Sequence, residues 1–445
     1  MFDRVFQLQR HGTTAARELQ AGLTTFAAMA YILAVNPDIL AHTGMDRGAL
    51  LTVTALTAAL ATVIMAVMTN YPIALAPGMG INAFFAFTLC GLKGVPWPDA
   101  LGMVFINGLL FLFLSVTGAR EKIIESIPVP LKLAIAGGIG LFIAFIGLQN
   151  GGVIVANPDT LVSIGDFTSG PAALCLAGIM LTAILVARRV PGAIVLGMAA
   201  ITLAGLFVPV GGGKMVTLLP PSVFSHPASP APLLLHLQFN FLKSWPAFVS
   251  ALPLILTLLL VDLFDNLGTL IGLAKRTGML DAEGRLPRAG RALLADSIAT
   301  ILSALFGTST VVCYIESAAG IAAGGRTGLT AFTTAALMLL ALFLTPLILC
   351  IPSAATAPAL VIVGVLMMQP VAEIALDDFV TAVPAVLTLL AIPLTFSISD
   401  GLGLGLICAA LLALALGKPR SLPLTGYLIA AIFFLDFFKI WPFRG

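Results

Sequence analysis

The polar and apolar residues of this chain are arranged in long blocks. Fourteen apolar blocks lie near residues 20–41, 49–69, 71–91, 98–118, 131–148, 170–187, 191–208, 248–273, 289–305, 308–323, 328–350, 355–371, 380–397 and 400–417. A membrane-spanning helix needs roughly 20 apolar residues. The pattern therefore predicts an all-α polytopic membrane protein with fourteen spans. A further block, 424–441, carries Asp436 and Lys439, and we expect it to form an interfacial or re-entrant segment.

Composition supports a place in lipid. Hydrophobic residues make up 59% of the 445 residues and charged residues 9%, against roughly 25% charged residues in soluble domains. The sequence contains no basic cluster interleaved with aromatic residues, so it gives no indication of a nucleic-acid partner. The five cysteines are scattered without metal-ligand spacing, and all four histidines lie outside the apolar blocks. The sequence therefore predicts no metal and no cofactor.

The basic residues predict an orientation. With a cytoplasmic N-terminus, 16 of the 22 Lys and Arg residues fall on the inner side and four fall outside. Cytoplasmic loops of membrane proteins carry such an excess of positive charge. We therefore expect a multi-pass protein of the cytoplasmic membrane with its N-terminus in the cytoplasm.

A polar, proline-rich stretch from about 209 to 246 divides the spans into seven and seven. Because seven is odd, the second half enters the membrane inverted relative to the first. Transporters built from such inverted repeats bind their substrates near the midplane, where discontinuous helices meet. The sequence therefore predicts a 7+7 inverted repeat.

Two spans at matching positions of the halves begin with sequence that favours helix poorly. Span three, YPIALAPGMGINAFFAFTLC, contains Pro72 and Pro77, and span ten begins with the run TSTVV, which favours a strand. Half-helices are then expected from about Ile81 and about Ile315. Irregular backbone at membrane depth is tolerated only against protein or a wet cavity. Spans three and ten are therefore the expected walls of a site.

Asn82 and Glu316 stand at the starts of these half-helices. The free N–H groups there suit an anion or an acceptor atom of a ligand. Either residue could instead cap its helix, which Asn does well and Glu less well. A carboxylate at that depth is costly, which favours a functional role for Glu316. For Asn82 both readings stay open.

Span eight carries Asp262, Asp265 and Asn266 on one helix face. Charged side chains within spans almost always face the protein interior or a cavity. No basic residue lies in the hydrophobic centre of any span. These carboxyls must therefore be protonated, hydrogen bonded or paired with a ligand. A carboxyl that can take up a proton is what proton-coupled transport requires. A structural hydrogen-bond pair with a neighbouring span is the alternative.

Phe84 and Tyr314 flank the two breaks and could stack on a planar ring, although aromatic residues there more often serve packing.

Four segments carry a resemblance to a known family: GLTTFAAMAYILAVNP, ALAPGMGINAFFAF, VDLFDNLGTLIGLAKRTGMLD and GTSTVVCYIESAAGIAAGGRTGLTA. They resemble the nucleobase/cation symporters of the AzgA-like purine permease branch, over essentially the whole chain. The resemblance implies the fold shared with uracil and xanthine permeases, in which short strands break spans three and ten. It implies core segments 17–118 and 248–350, gate segments 119–208 and 351–418, a linker 209–247 and a C-terminal segment 419–445.

The resemblance also implies an activity, which is the import of hypoxanthine, guanine or adenine with protons. The family's substrate-binding positions fall on Asn82, Asp262 and Glu316, with Asp265 as a supporting residue. We expect substrate contact from Asp262, Glu316, Asn82, Tyr314 and Phe84, and proton coupling or site support from Glu316, Asp262 and Asp265. The expected partners are the purine, the proton, the lipid bilayer and a second copy of the chain, since related folds have large gate surfaces.

Alternatives remain at this stage. A carrier of the same fold for xanthine, uracil or an inorganic anion fits the architecture, although buried acids disfavour an anion. A membrane-embedded metalloenzyme would use three acids without an intramembrane histidine, which is a poor ligand set. A channel would reveal itself by fluxes far above carrier rates.

Overall fold

The computed structural model describes residues 5–117, 127–211, 214–277, 279, 286–419 and 422–440. Within these residues, ten apolar helical runs are at least 18 residues long, as a membrane span requires. Four apolar helical segments are shorter: Met79–Leu92, Ala193–Gly205, Phe379–Thr395 and Leu424–Phe437. Of the basic residues used for orientation, Arg4, Arg120, Lys122, Arg285, Arg420 and Arg444 lie outside the described residues.

The described part of the first half contains eight helices. They are α1 Ala15–Met29, α2 Ile32–Leu40, α3 Arg47–Thr69, α4 Met79–Ala83, α5 Trp97–Thr117, α6 Val129–Asn150, α7 Gly170–Ala187 and α8 Ala193–Gly205. Strand β1, Leu75–Pro77, precedes α4, and a π-helix, Phe84–Leu92, follows it. The predicted first span is thus two helices that meet at Ala30 and Tyr31, an interruption that the sequence pattern did not predict.

The described part of the second half contains nine helices. They are α9 Trp245–Thr277, α10 Ala289–Phe306, α11 Ser317–Ala322, α12 Gly328–Ala341, α13 Thr345–Leu349, α14 Ser353–Met367, α15 Phe379–Thr395, α16 Ile398–Ala415 and α17 Leu424–Phe437. Strand β6, Val311–Cys313, precedes α11. Helix α17 has 14 residues, about 21 Å of helix, which is less than a hydrocarbon core of about 30 Å.

Two hairpins lie outside the apolar blocks and were not predicted from the sequence. Strand β2, Ile154–Asn157, pairs with β3, Leu161–Ile164. Strand β4, Pro209–Gly211, pairs with β5, Lys214–Met215.

Strands β1 and β6 come from opposite halves and pair antiparallel, with Ala76 opposite Val312. Both strands are fully buried. Helix formation fails at β1 because Pro77 lacks the N–H that a helix requires. At β6 the β-branched residues Val311 and Val312 favour extended backbone. The two half-helices therefore start from one shared piece of sheet.

A buried two-stranded sheet leaves backbone groups on its outer edges that must find partners. The Thr62 hydroxyl on α3 donates to the carbonyl of Leu75 at 3.0 Å and accepts from the N–H of Leu75 at 2.9 Å. On the other strand, the side-chain oxygen of Asn266 accepts from the N–H of Cys313 at 2.9 Å. Side chains of α3 and α9 thus complete the sheet at both edges.

The helices form two packing groups. In the first group, α3 packs against α2, α10 and α12, α1 packs against α11 and α12, and α5 packs against α9 and α10. In the second group, α6 packs against α14, α15 and α16, α7 packs against α8 and α14, and α17 packs against α16. Both half-helices belong to the first group.

Candidate functional site

Glu316 lies directly before α11, at the end of the extended segment that contains β6. Its Oε1 accepts a hydrogen bond from the Tyr31 hydroxyl at 2.7 Å. The Glu316 side chain is half-buried, and the preceding Ile315 is 40% exposed. Glu316 is therefore a partly exposed carboxyl beside the strand crossing.

Asp265 on α9 is the second half-buried acid of the site. A Cβ built on Gly78, at the start of α4, would lie 3.6 Å from the Asp265 carboxylate. Asp265 and Glu316 interact electrostatically, and both interact with Tyr314. Two carboxylates in one site repel each other, which favours a ligand that donates hydrogen bonds to them.

Asp262, one turn before Asp265, is fully buried. One carboxylate oxygen accepts from the amide of Asn107 at 2.9 Å, and the other accepts from the amide of Asn266 at 2.9 Å. Since Asn266 also accepts from the backbone of Cys313, these contacts link α5, α9 and β6. The geometry of Asp262 is that of a residue that holds strand β6 in place.

Tyr314 is buried, and its hydroxyl donates to the carbonyl of Pro77 at 2.7 Å. Its backbone N–H donates to the carbonyl of Ala74 at 3.0 Å. Tyr314 thus fastens the end of β6 to β1. Its ring and hydroxyl are used within the protein, and substrate stacking by Tyr314 stays a prediction.

Asn82 lies within α4 and is fully buried. Its side-chain oxygen accepts from the hydroxyl of Ser309, and its amide nitrogen has no hydrogen-bond partner among the residues that the structure describes. Phe84 is also fully buried, at the first position of the π-helix. Short π-helical turns occur frequently at functional sites. Substrate contact by Asn82 and Phe84 stays a prediction.

Several residues of this arrangement were not singled out from the sequence. Tyr31 and Asn107 are polar side chains within largely apolar segments, and this was the only signal available. Lys132 of α6 lies with its ammonium 5.7 Å from the ring centre of Phe264, the residue before Asp265. This cation–π contact brings a positive charge from the second packing group to the first.

A cavity among the described residues lies elsewhere. It measures about 470 Å³, and its polar lining includes Lys93, Asp99, Asn240, Ser399, Asp436 and Lys439. Lys93 pairs with Asp400 at 3.4 Å and Lys439 with Asp436 at 3.0 Å. Because none of the acids beside the strand crossing lines this cavity, its size does not make it the candidate site. No cluster of His, Cys, Asp or Glu that could hold a metal occurs in the described ranges.

Two interrupted helices that meet near the middle of a multi-pass helical protein are typical of transporters. The chain belongs to the Permease family, whose sequence profile matches residues 16–404. It is 44% identical to the guanine/hypoxanthine permease PbuG of Bacillus subtilis, over 97% of this chain and 98% of that one. It is 41% identical to the adenine permease AdeP of Escherichia coli, over 98% and 95%.

These relatives confirm the family predicted from the sequence, and they identify the chain as a multi-pass membrane transporter. Among solved structures, the transmembrane domain of a cyanobacterial bicarbonate transporter, BicA, has a similar fold. Its TM-score is 0.63 at 18% identity, over 88% of this chain and 97% of that one.

Proposed function

We propose that this protein takes up purine nucleobases together with protons across the cytoplasmic membrane. The observation that carries the proposal is the pair of half-buried acids, Asp265 and Glu316, beside the crossing of β1 and β6. In the described part of the chain neither acid takes part in an ion pair. The relatives PbuG and AdeP are named for guanine and hypoxanthine and for adenine.

The chemistry of a purine fits this pair. A purine presents N–H donors and acceptor atoms along its edges, and a carboxylate accepts from such donors. One hydrogen bond to a charged group contributes about 1.5–3 kcal/mol net. Two or three such bonds with ring packing support micromolar binding, about −8 kcal/mol.

Asp265 and Glu316 are our assigned ligand and proton contacts, and Asp262 is a supporting residue. The roles predicted from the sequence for the two aspartates are therefore exchanged. The reason is that both oxygens of Asp262 already accept amide hydrogen bonds in a fully buried position, whereas Asp265 is half-buried. The buried amide nitrogen of Asn82 lacks a partner within the described part of the chain. Asn82 is therefore a further ligand contact in this scheme, available if α4 shifts.

The two packing groups support an alternating-access mechanism. We assign the first group to a core, 17–118 and 248–350, and the second to a gate, 119–208 and 351–418, in a fourteen-span inverted repeat. Proton binding at Glu316 or Asp265 removes negative charge and lets the loaded core move past the gate. A proton that enters down about 100 mV supplies roughly 2.3 kcal/mol. The N-terminus is cytoplasmic in this scheme, and a homodimer would form through the gate.

The test is uptake of labelled hypoxanthine into cells that lack their own purine carriers. Competition by unlabelled adenine, guanine, xanthine and uracil ranks the substrates, and a protonophore removes the driving force. We expect guanine or adenine to compete and the protonophore to abolish accumulation. Competition by xanthine or uracil alone would show that the protein carries another nucleobase. Accumulation that survives the protonophore would exclude proton coupling. The Glu316→Gln variant is the matched control, because it removes one of the two acids on which the proposal rests and leaves the side chain almost the same size.

A further inference from the structure

We propose that Glu18 is a positioning residue that holds Glu316 at its place in the site. Glu18 lies in the first turn of α1, far along the chain from both site acids. The inference rests on the proposed role of Glu316 and adds a residue that touches neither substrate nor proton. It assigns to α1 the task of fixing the half-helix α11 at both ends.

The Glu18 carboxylate is fully buried and accepts four hydrogen bonds. Oε1 accepts from the N–H of Arg326 at 2.9 Å. Oε2 accepts from the N–H of Thr327 at 3.1 Å, from its hydroxyl at 2.9 Å and from the hydroxyl of Thr330 at 2.6 Å. A buried carboxylate is stable when donors surround it in this way. The two N–H groups also stand at the start of α12, where the helix dipole favours negative charge.

Two of the three residues that Glu18 binds, Arg326 and Thr327, lie in the linker between α11 and α12, and the third, Thr330, lies in the first turn of α12. Gly324 in this linker has φ +109°, a conformation that only glycine adopts without strain. A Cβ on the next residue, Gly325, would lie 3.0 Å from the Cβ of Ala21 on α1. The linker thus rests directly on α1, and Glu18 fixes the C-terminal end of α11.

The N-terminal end of α11 is fixed by the same segment of chain. Tyr31, directly after α1, donates to Glu316. Between the two ends, a Cβ on Gly320 of α11 would lie 2.6 Å from the carbonyl of Ala21. Glu18 and Met29, the last residue of α1, are eleven positions apart, a helical rise of roughly 16 Å. Helix α1 therefore supports α11 along its whole length, and release of one end lets Glu316 leave Tyr31.

The substitution Glu18→Gln tests this role with almost no change of volume. In this variant an NH2 group at the position of Oε2 faces the N–H of Thr327. Both groups are donors and the backbone N–H cannot become an acceptor, so the linker must shift. We expect KM for the carried substrate to rise by on the order of tenfold, since a buried donor loses its acceptor. We expect the pH profile of uptake to change in the same direction as in Tyr31→Phe.

A double-mutant cycle separates positioning from a purely structural role. Residues that act on one element couple, whereas independent defects multiply. We expect the Glu18→Gln/Tyr31→Phe variant to be little worse in Vmax/KM than the worse single variant. Uptake is normalised to the amount of protein in the membrane. If the Glu18→Gln protein does not accumulate in the membrane, Thr330→Val, which removes one of the four donors, provides a milder variant.

Thr334→Val is the matched control, because Thr334 also links α12 to α1, by a bond of 3.1 Å to the carbonyl of Gly22, yet lies beyond the linker. It should leave KM and the pH profile unchanged. Unchanged KM and pH profile in both Glu18→Gln and Thr330→Val, or defects that multiply in the cycle, would overturn the proposal. The cycle uses whichever substrate the wild-type protein carries, so failure of purine uptake would refute the proposed function separately.

Discussion

The hydroxyl of Tyr31 lies 2.7 Å from Oε1 of Glu316, across 285 residues of sequence. This bond joins the interruption of the first span to the start of a half-helix in the opposite half of the chain.

Tyr31→Phe removes this hydroxyl and nothing else. A hydrogen bond to a charged group is worth about 1.5–3 kcal/mol, so we expect Vmax/KM for hypoxanthine uptake to fall by roughly 10- to 100-fold. Initial uptake rates over a range of concentrations measure the effect. Tyr427→Phe is the control, because that hydroxyl donates to the carbonyl of Pro419 at an exposed position. Wild-type kinetics in Tyr31→Phe would contradict a role for the bond.

Asp265→Asn and Asp262→Asn should fail in different ways. In Asp265→Asn we expect a protein of normal thermal stability that has lost most proton-driven uptake, because a half-buried acid of the site becomes neutral. In Asp262→Asn one amide partner must face another amide, and an unsatisfied buried donor costs about 1–3 kcal/mol. Its expected signature is a lower unfolding temperature, measured on purified protein in detergent.

The reverse outcome would restore the roles first predicted from the sequence. That outcome is wild-type uptake in Asp265→Asn together with loss of uptake at unchanged stability in Asp262→Asn. Variants Asn107→Asp and Asn266→Asp, which place two carboxyls against each other, should resemble Asp262→Asn in stability.

Gly80 lets α4 approach the second packing group closely. A Cβ on Gly80 would lie 2.6 Å from the terminal carbon Cγ2 of Ile139 on α6, while the Ile139 Cβ is 3.9 Å away. We therefore expect Gly80→Ala to reduce the uptake rate severalfold, because the added methyl group blocks movement between the two groups. Ile139→Ala should restore much of the rate in the double variant, since it removes the clashing atom. A double variant no faster than Gly80→Ala would place the defect within α4 itself.

Three polar contacts connect the first packing group and the π-helix to residues 396–400, where α15 ends and α16 begins. Thr88 donates to the carbonyl of Phe396 at 2.8 Å, the hydroxyls of Thr257 and Ser399 lie 3.0 Å apart, and Lys93 pairs with Asp400. Because Lys93 is 36% exposed, its ion pair is worth at most about 1 kcal/mol. Lys93→Met should change the uptake rate less than about fivefold, and the change should vanish at high salt. Thr257→Val, at a buried contact, should have an effect that salt does not alter.

The sequence predicted those features that the membrane itself requires. Apolar blocks and isolated acids are visible because a charge in lipid is costly wherever it occurs, and this singled out Asp262, Asp265 and Glu316 as candidates. The predicted half-helix starts at Ile81 and Ile315 lie within two residues of the observed starts, Met79 and Ser317.

Partners distant in sequence could not be predicted in this way. Asn107 meets Asp262 across 155 residues and Ser309 meets Asn82 across 227, and no local pattern encodes such pairings. The two aspartates of α9 illustrate the limit. They differ by about 60° around the helix axis. Only the surrounding helices decide which aspartate is enclosed by amides and which one stays half-buried.

The pairing of β1 with β6 also has a consequence for biogenesis. The hydroxyl of Tyr314 reaches the carbonyl of Pro77 across 237 residues, so the N-terminal strand is synthesised long before its partner exists. Until then the backbone of Leu75–Pro77 depends on Thr62 and on whatever the insertion machinery or lipid headgroups supply. Contacts of such large sequence separation form late. A chain truncated within span ten therefore exposes an unpaired strand in the membrane, which is a signal that quality-control proteases can recognise.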